Sequence, residues 1–96
     1  MIVLPRWAGT PAGWSGGAAA PGQWYAYPLG PVVMPGEWTT DAGRVAVYVR
    51  CPACSRLMML SSRVHRIDAL GVVSPSLVCP HSGCSWHVFV RLNGWA

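Results

Sequence analysis

The chain divides by pattern before it divides by chemistry. From residue 44 onward apolar positions alternate: Val45, Val47 and Val49 are interleaved with Ala46 and Tyr48, the period-two signature of a strand with one buried face, and the run leads straight into Cys51. A second strand is expected over 56–60, and a third over 64–67. That third strand is separated from Val72-Val73 by Asp68-Ala69-Leu70-Gly71, which reads as a hairpin turn with Gly71 taking a positive φ. The last strand puts Trp86, Val88, Val90 and Leu92 on one face and His87, Phe89 and Arg91 on the other, and Asn93-Gly94 ends it. No helix is predicted. The best candidate, 61–70, opens on capping residues Ser61 and Ser62, but Val64 and Ile67 are β-branched and no apolar stripe develops.

Residues 1–43 show no such alternation. They read as an extended arm in which Trp7, Trp14, Trp24, Tyr25, Tyr27 and Trp38 stand among prolines and glycines. Flexible linkers are ordinarily polar, so this many large rings needs a physical account. Either the rings fold back and enlarge a small core, or they are anchors that fill separate pockets on another protein. Trp7-Ala8-Gly9 and Trp14-Ser15-Gly16 hint at a seven-residue repeat, but two copies are too few to define one.

Size sharpens the picture. A chain of 96 residues holds one small domain, and if 44–96 is its folding unit the core is thin enough that a metal or disulfide staple is expected. The formal charge of +4 is uneven: Arg6 against Glu37 and Asp41 leaves −1 in residues 1–43, while six arginines against Asp68 leave +5 in the rest. Four thiolates around a divalent ion would lower that second value to about +3, a modest field. There is no lysine, and the Arg, Gly, Ala, Pro and Val content has the look of a GC-rich coding sequence. Gly16-Gly17-Ala18-Ala19-Ala20 resembles a signal-peptide cleavage site, yet Pro5, Gly9, Pro11 and Gly13 interrupt every apolar run before it. The expectation is a protein without a signal peptide or membrane span, in the cytoplasm or, if phage-encoded, in a virion, with its cysteines in a reducing compartment.

The candidate chemistry is Cys51-Pro52-Ala53-Cys54, then 24 residues, then Cys79-Pro80-His81-Ser82-Gly83-Cys84. Two cysteines two residues apart can turn both sulfurs toward one ion, and both pairs fall where strands end. The spacing predicts one structural Zn²⁺ held by Cys51, Cys54, Cys79 and Cys84. The second loop is longer than the usual knuckle, so His81 or His87 remains an alternative fourth ligand, and His65 and His87 are candidates to hydrogen-bond a sulfur from outside the ligand set. A thioredoxin-like role for Cys51 and Cys54 would need a βαβ context that the pattern lacks. Zinc hydrolysis would need an open coordination position and a carboxylate base, and Glu37, Asp41 and Asp68 lie in no such motif. The chain is therefore read as a non-enzyme with no small-molecule substrate.

Taken with Val72-Val73-Ser74-Pro75-Ser76-Leu77-Val78-Cys79-Pro80 and the segment from Cys84-Ser85-Trp86-His87 to Trp95, the cysteine spacing makes residues 44–96 resemble a zinc ribbon, and more narrowly the small uncharacterised zinc-ribbon proteins of bacteriophage and prophage genomes. The resemblance implies a small all-β fold of three to four short antiparallel strands and ligation by the four cysteines, with the Pro/Gly/Trp-rich arm outside it. It implies little about activity, since zinc ribbons serve many processes. Two functions are expected. One is protein interaction or assembly, such as a phage structural or accessory protein, with another protein bound through the arm. The other is nucleic-acid binding, with Arg50, Arg56, Arg63, Arg66 and Arg91 meeting phosphates and Trp86 or Tyr48 stacking on a base. The arginines form no dense run, which favours the first.

Overall fold

The computed structural model describes residues 1–31, 36–40 and 43–95, and Asp41 lies outside them. The organising element is β4 (Gly43–Arg50), the alternating valine strand. One of its edges takes β2 (Trp24–Pro28) antiparallel, with Trp24 opposite Val49 and Pro28 opposite Val45. The other edge is shared. β3 (Trp38–Thr40) pairs with its first residues and β5 (Leu57–Leu60) with its last, again antiparallel. The Trp38 indole N–H donates to the Leu60 carbonyl at 2.9 Å and ties β3 to β5.

Because strand side chains alternate, this sheet has two differently furnished faces. Val47, Val49, Trp24 and Leu60, none of them accessible to solvent, lie on the first. They pack with Leu4, Val73, Leu77, Val90 and Leu92 into the main core, which also takes in Cys51 and Cys79. Tyr25, Tyr27, Tyr48 and Leu57 lie on the second face, where Trp14, Ala19 and Trp7 cover part of it.

The segment expected to be an extended arm is thus woven into the sheet. β1 (Ile2–Leu4) runs parallel to β10 (Val90–Leu92), joining the two ends of the chain, and Trp7 and Trp24 continue the ladder through Trp7 N–H to Trp24 C=O at 2.8 Å and Trp24 N–H to Pro5 C=O at 3.0 Å. Between β1 and β2 stands the single helix of the described residues, α1 (Pro11–Ser15). Its start follows ordinary rules: Thr10 in extended conformation accepts the Gly13 N–H through its side chain, and Pro11 fills the first turn, where its missing N–H costs nothing. The division at residue 43 therefore marks a change of composition, while β2 and β3 cross it to pair with β4.

Two hairpins complete the fold. β6 (Arg66–Ile67) pairs with β7 (Val73–Ser74) across the expected turn, in which the Asp68 carboxylate accepts the Leu70 and Val72 N–H groups and Gly71 has φ 88°. A side chain at Gly71 would also run into the Leu92 carbonyl. β8 (Leu77–Val78) pairs with β9 (His87–Val88), so Cys79 and Cys84 occupy the loop of that hairpin, as Cys51 and Cys54 occupy the loop between β4 and β5. The chain is nearly all β in small, mostly antiparallel sheets; β4 to β10 are seven short strands where three or four were expected, and β1, β2 and β3 lie in the segment expected to be an arm. No helix among them is long and apolar enough to cross a membrane.

Candidate metal centre

Each pair of cysteines is presented by a tight loop whose backbone is closed on itself. After β4, the Cys51 N–H donates to the Arg56 carbonyl at 2.9 Å and the Ser55 N–H donates back to the Cys51 carbonyl at 2.8 Å. That turn requires Ser55 at φ 64°, the only positive φ outside glycine among the described residues. Arg50 and Arg56 brace it from the sides: Arg50 Nη1 donates to the Ser55 carbonyl at 2.6 Å, and Arg56 Nη2 reaches the Ser82 carbonyl of the opposite loop at 3.0 Å.

The second loop has two more residues to accommodate. A further turn absorbs them, with Cys84 N–H donating to the His81 carbonyl at 3.1 Å and Gly83 at φ 82°. The Cys79 N–H donates to the Trp86 carbonyl at 3.0 Å and closes the loop at its base. His81 is held by its ring, whose Nε2 lies 2.6 Å from the Leu57 carbonyl. A carbonyl only accepts, so that nitrogen carries a proton and faces β5.

The four sulfurs converge. All lie within 4.8 Å of one another, and Cys51 to Cys84 and Cys54 to Cys79 are each 3.7 Å apart. Four thiolates at ~2.3 Å around a tetrahedral ion would stand ~3.8 Å from each other. The spacing is too long for a sulfur–sulfur bond, and the four cysteines are free. They can hold one ion with no other donor, leaving a closed coordination sphere.

Electrostatics around the sulfurs differ across the site. The Arg56 backbone N–H, and after it the Arg56 guanidinium, hold the Cys54 thiol down to about 6. The guanidinium is itself held above its ordinary value by its hydrogen bond to Cys54. Burial raises Cys51 and pushes Cys79 up to about 12, opposed by N–H groups from Cys54 and Ala53 for Cys51 and from His81 for Cys79. Those N–H groups point at the sulfurs in the manner that stabilises thiolate ligands. A divalent ion supplies the remaining charge and displaces the protons.

The other residues singled out in the sequence are distributed differently. His81 is turned toward Leu57 and is not in the sulfur cluster, while His87 is exposed and hydrogen-bonds Ser76 Oγ. The Nδ1 of half-buried His65 is buried without a partner, so it makes no bond to a sulfur through that atom. None of the six aromatic anchors is exposed: Trp14, Trp24 and Tyr25 are buried, and Trp7, Tyr27 and Trp38 are half-buried. Their fold-back into the two cores, the other reading of these rings, is the arrangement observed. The most exposed large apolar residues after Met1 are instead Leu70, Val64, Phe89 and Val78. Among the arginines, Arg50 and Arg56 serve the first loop, Arg91 is half-buried in β10, and Arg63 and Arg66 are exposed. Tyr48 and Trp86, the two stacking candidates, are both half-buried. Sequence reasoning missed Ser55 and the second role of Arg56. The only available signal was their position directly after a Cys-x-x-Cys pair, where the chain must reverse.

Comparison of the chain with protein-family models, with curated proteins and with solved structures finds no match in any of the three.

Proposed function

We propose that the chain is a non-enzymatic module whose fold is held by one structural zinc ion and which acts in protein interaction or assembly, in a setting such as a bacteriophage structural or accessory protein. The observation that carries the zinc reading is the cluster of four free sulfurs within 4.8 Å of one another, two pairs of them 3.7 Å apart, with no other donor in the cluster among the described residues. Thiolates of this number and spacing suit zinc, and a closed sphere leaves no position for a substrate or an activated water. The interaction role is supported by the low charge content and by exposed apolar side chains, Val78 in β8 and Phe89 between β9 and β10 among them. The phage setting rests on the resemblance of residues 44–96 to zinc ribbons.

Native mass spectrometry of protein purified without added metal tests the first part. One zinc per chain is expected, together with loss of strand signal when a strong chelator is added, because a site of this type contributes on the order of 10 kcal/mol to folding. A metal-free, folded protein would overturn it. The nucleic-acid reading draws on exposed Arg63 and Arg66. Anisotropy of labelled single- and double-stranded DNA and RNA at two salt concentrations decides between the roles. Binding that weakens steeply with salt would replace the assembly reading, and no binding at low salt is the expected result.

A further inference from the structure

The second face of the central sheet is only partly covered. Between α1 and this face lies a cavity of about 280 Å³ lined by Trp14, Ser15, Tyr27, Tyr48 and Leu57. The Tyr27 and Tyr48 rings meet at 80° with centroids 6.3 Å apart, so they form two walls of a corner. Tyr25 stands behind them, edge-on to Tyr27 at 6.0 Å and tilted against Trp14 at 5.5 Å, so the walls are supported from within.

No charged side chain contributes to this lining. Its side chains bring an indole N–H, which only donates, and three hydroxyls, which both donate and accept. Trp14 is 2% exposed, and its indole N–H is buried without any hydrogen-bond partner. Ser15 Oγ and the Tyr27 hydroxyl, 3.4 Å apart, make only a weak contact with each other and stay available.

We propose that this cavity is a recognition site for a proline-rich segment of another polypeptide, bound in polyproline II conformation; the inference rests on the protein-interaction reading above. Proline has no N–H, so such a segment offers carbonyl acceptors to the hydroxyls of the lining. Its rings pack on aromatic faces, and its conformation is already formed before binding, which limits the ordering cost. Other ligand classes fit worse. An anion would find no cation here. A cationic group would find aromatic faces but no carboxylate, in a chain of net charge +4. At about 280 Å³ the cavity is just below the ~300 Å³ at which ordinary ligand pockets begin, room for one or two residues of a peptide rather than a large cofactor.

Panning a random dodecapeptide library on the full-length, zinc-loaded protein tests this, followed by anisotropy with labelled decaproline and a glycine-serine peptide of equal length. Enrichment of proline-rich sequences that decaproline displaces is expected, with decaproline affinity falling about tenfold in Tyr48→Ala, since truncating an aromatic anchor commonly has that effect. Tyr48→Phe and Ser15→Ala each remove one hydroxyl with little risk to folding, and each should weaken binding by a smaller factor. Phe89→Ala, on a residue outside the lining, should leave it unchanged. Enrichment of sequences without proline, or equal binding of the glycine-serine peptide, would overturn the proline-rich assignment while keeping the interaction reading. Absence of any enriched peptide would count against both.

Discussion

Replacing Trp24 asks whether the first forty residues are part of the fold or an appendage to it. Trp24 has no solvent-accessible surface, sits opposite Val49, donates its indole N–H to the Asn93 carbonyl at 2.9 Å and lies under the Arg6 guanidinium at 4.9 Å. Burying up to ~250 Å² of aromatic surface at ~25 cal/mol per Å² corresponds to about 6 kcal/mol as an upper figure. Core Trp-to-Ala changes usually cost about 3–5 kcal/mol after partial collapse. A chain of 96 residues has a total stability of roughly 5–14 kcal/mol, so Trp24→Ala should remove about a fifth of it or more. Trp24→Phe keeps a ring but loses the hydrogen bond, worth about 1 kcal/mol, and some volume, and should cost about 2 kcal/mol. Urea unfolding of zinc-loaded protein, followed by far-UV circular dichroism, measures both through the shift in midpoint at constant slope. If Trp24→Ala changed stability by less than about 1 kcal/mol, the N-terminal segment would not be core and the β1, β2 and Trp24 arrangement would be wrong.

Three further outcomes follow from the loops. Ser55→Val places a β-branched residue at φ 64° and should cost about 1–2 kcal/mol of holo-protein stability, whereas Ser55→Gly should be close to neutral. Zinc stoichiometry by native mass spectrometry should stay at one per chain in His81→Gln and fall in Cys84→Ser; the reverse would make His81 the fourth ligand. Gly71→Ala combines a positive φ with a collision against the Leu92 carbonyl and should cost about 2 kcal/mol, lowering the thermal midpoint by about 8–16 °C in a domain of this size.

The strands that proved legible are those in which large apolar residues take every second position. Val45, Val47 and Val49, and Trp86 to Leu92, show that period, because alternate side chains of a strand point to the same face. β2 was invisible because Trp24, Tyr25 and Tyr27 supply large rings to both faces of the sheet, so no contrast of period two develops, and its neighbouring prolines and glycines read as linker. β1 and β3, three residues each, are too short for any period to register. Helix α1 did leave a signal, Thr10-Pro11, which a search for an apolar stripe passes over in a five-residue helix.

The sequence by itself determined the metal site's composition, because the need to bring four soft donors together leaves its mark as cysteine pairs beside strand ends, and it determined the Gly71 turn, because only glycine takes that φ without strain. Tertiary structure alone decided where the aromatic rings went. The affinity of Trp24 or Tyr27 for an apolar surface is the same whether that surface belongs to this chain or to another, and local sequence cannot say which is nearer. Only the pairing of β2 with β4, and of β1 with β10, places the chain's own sheet within reach.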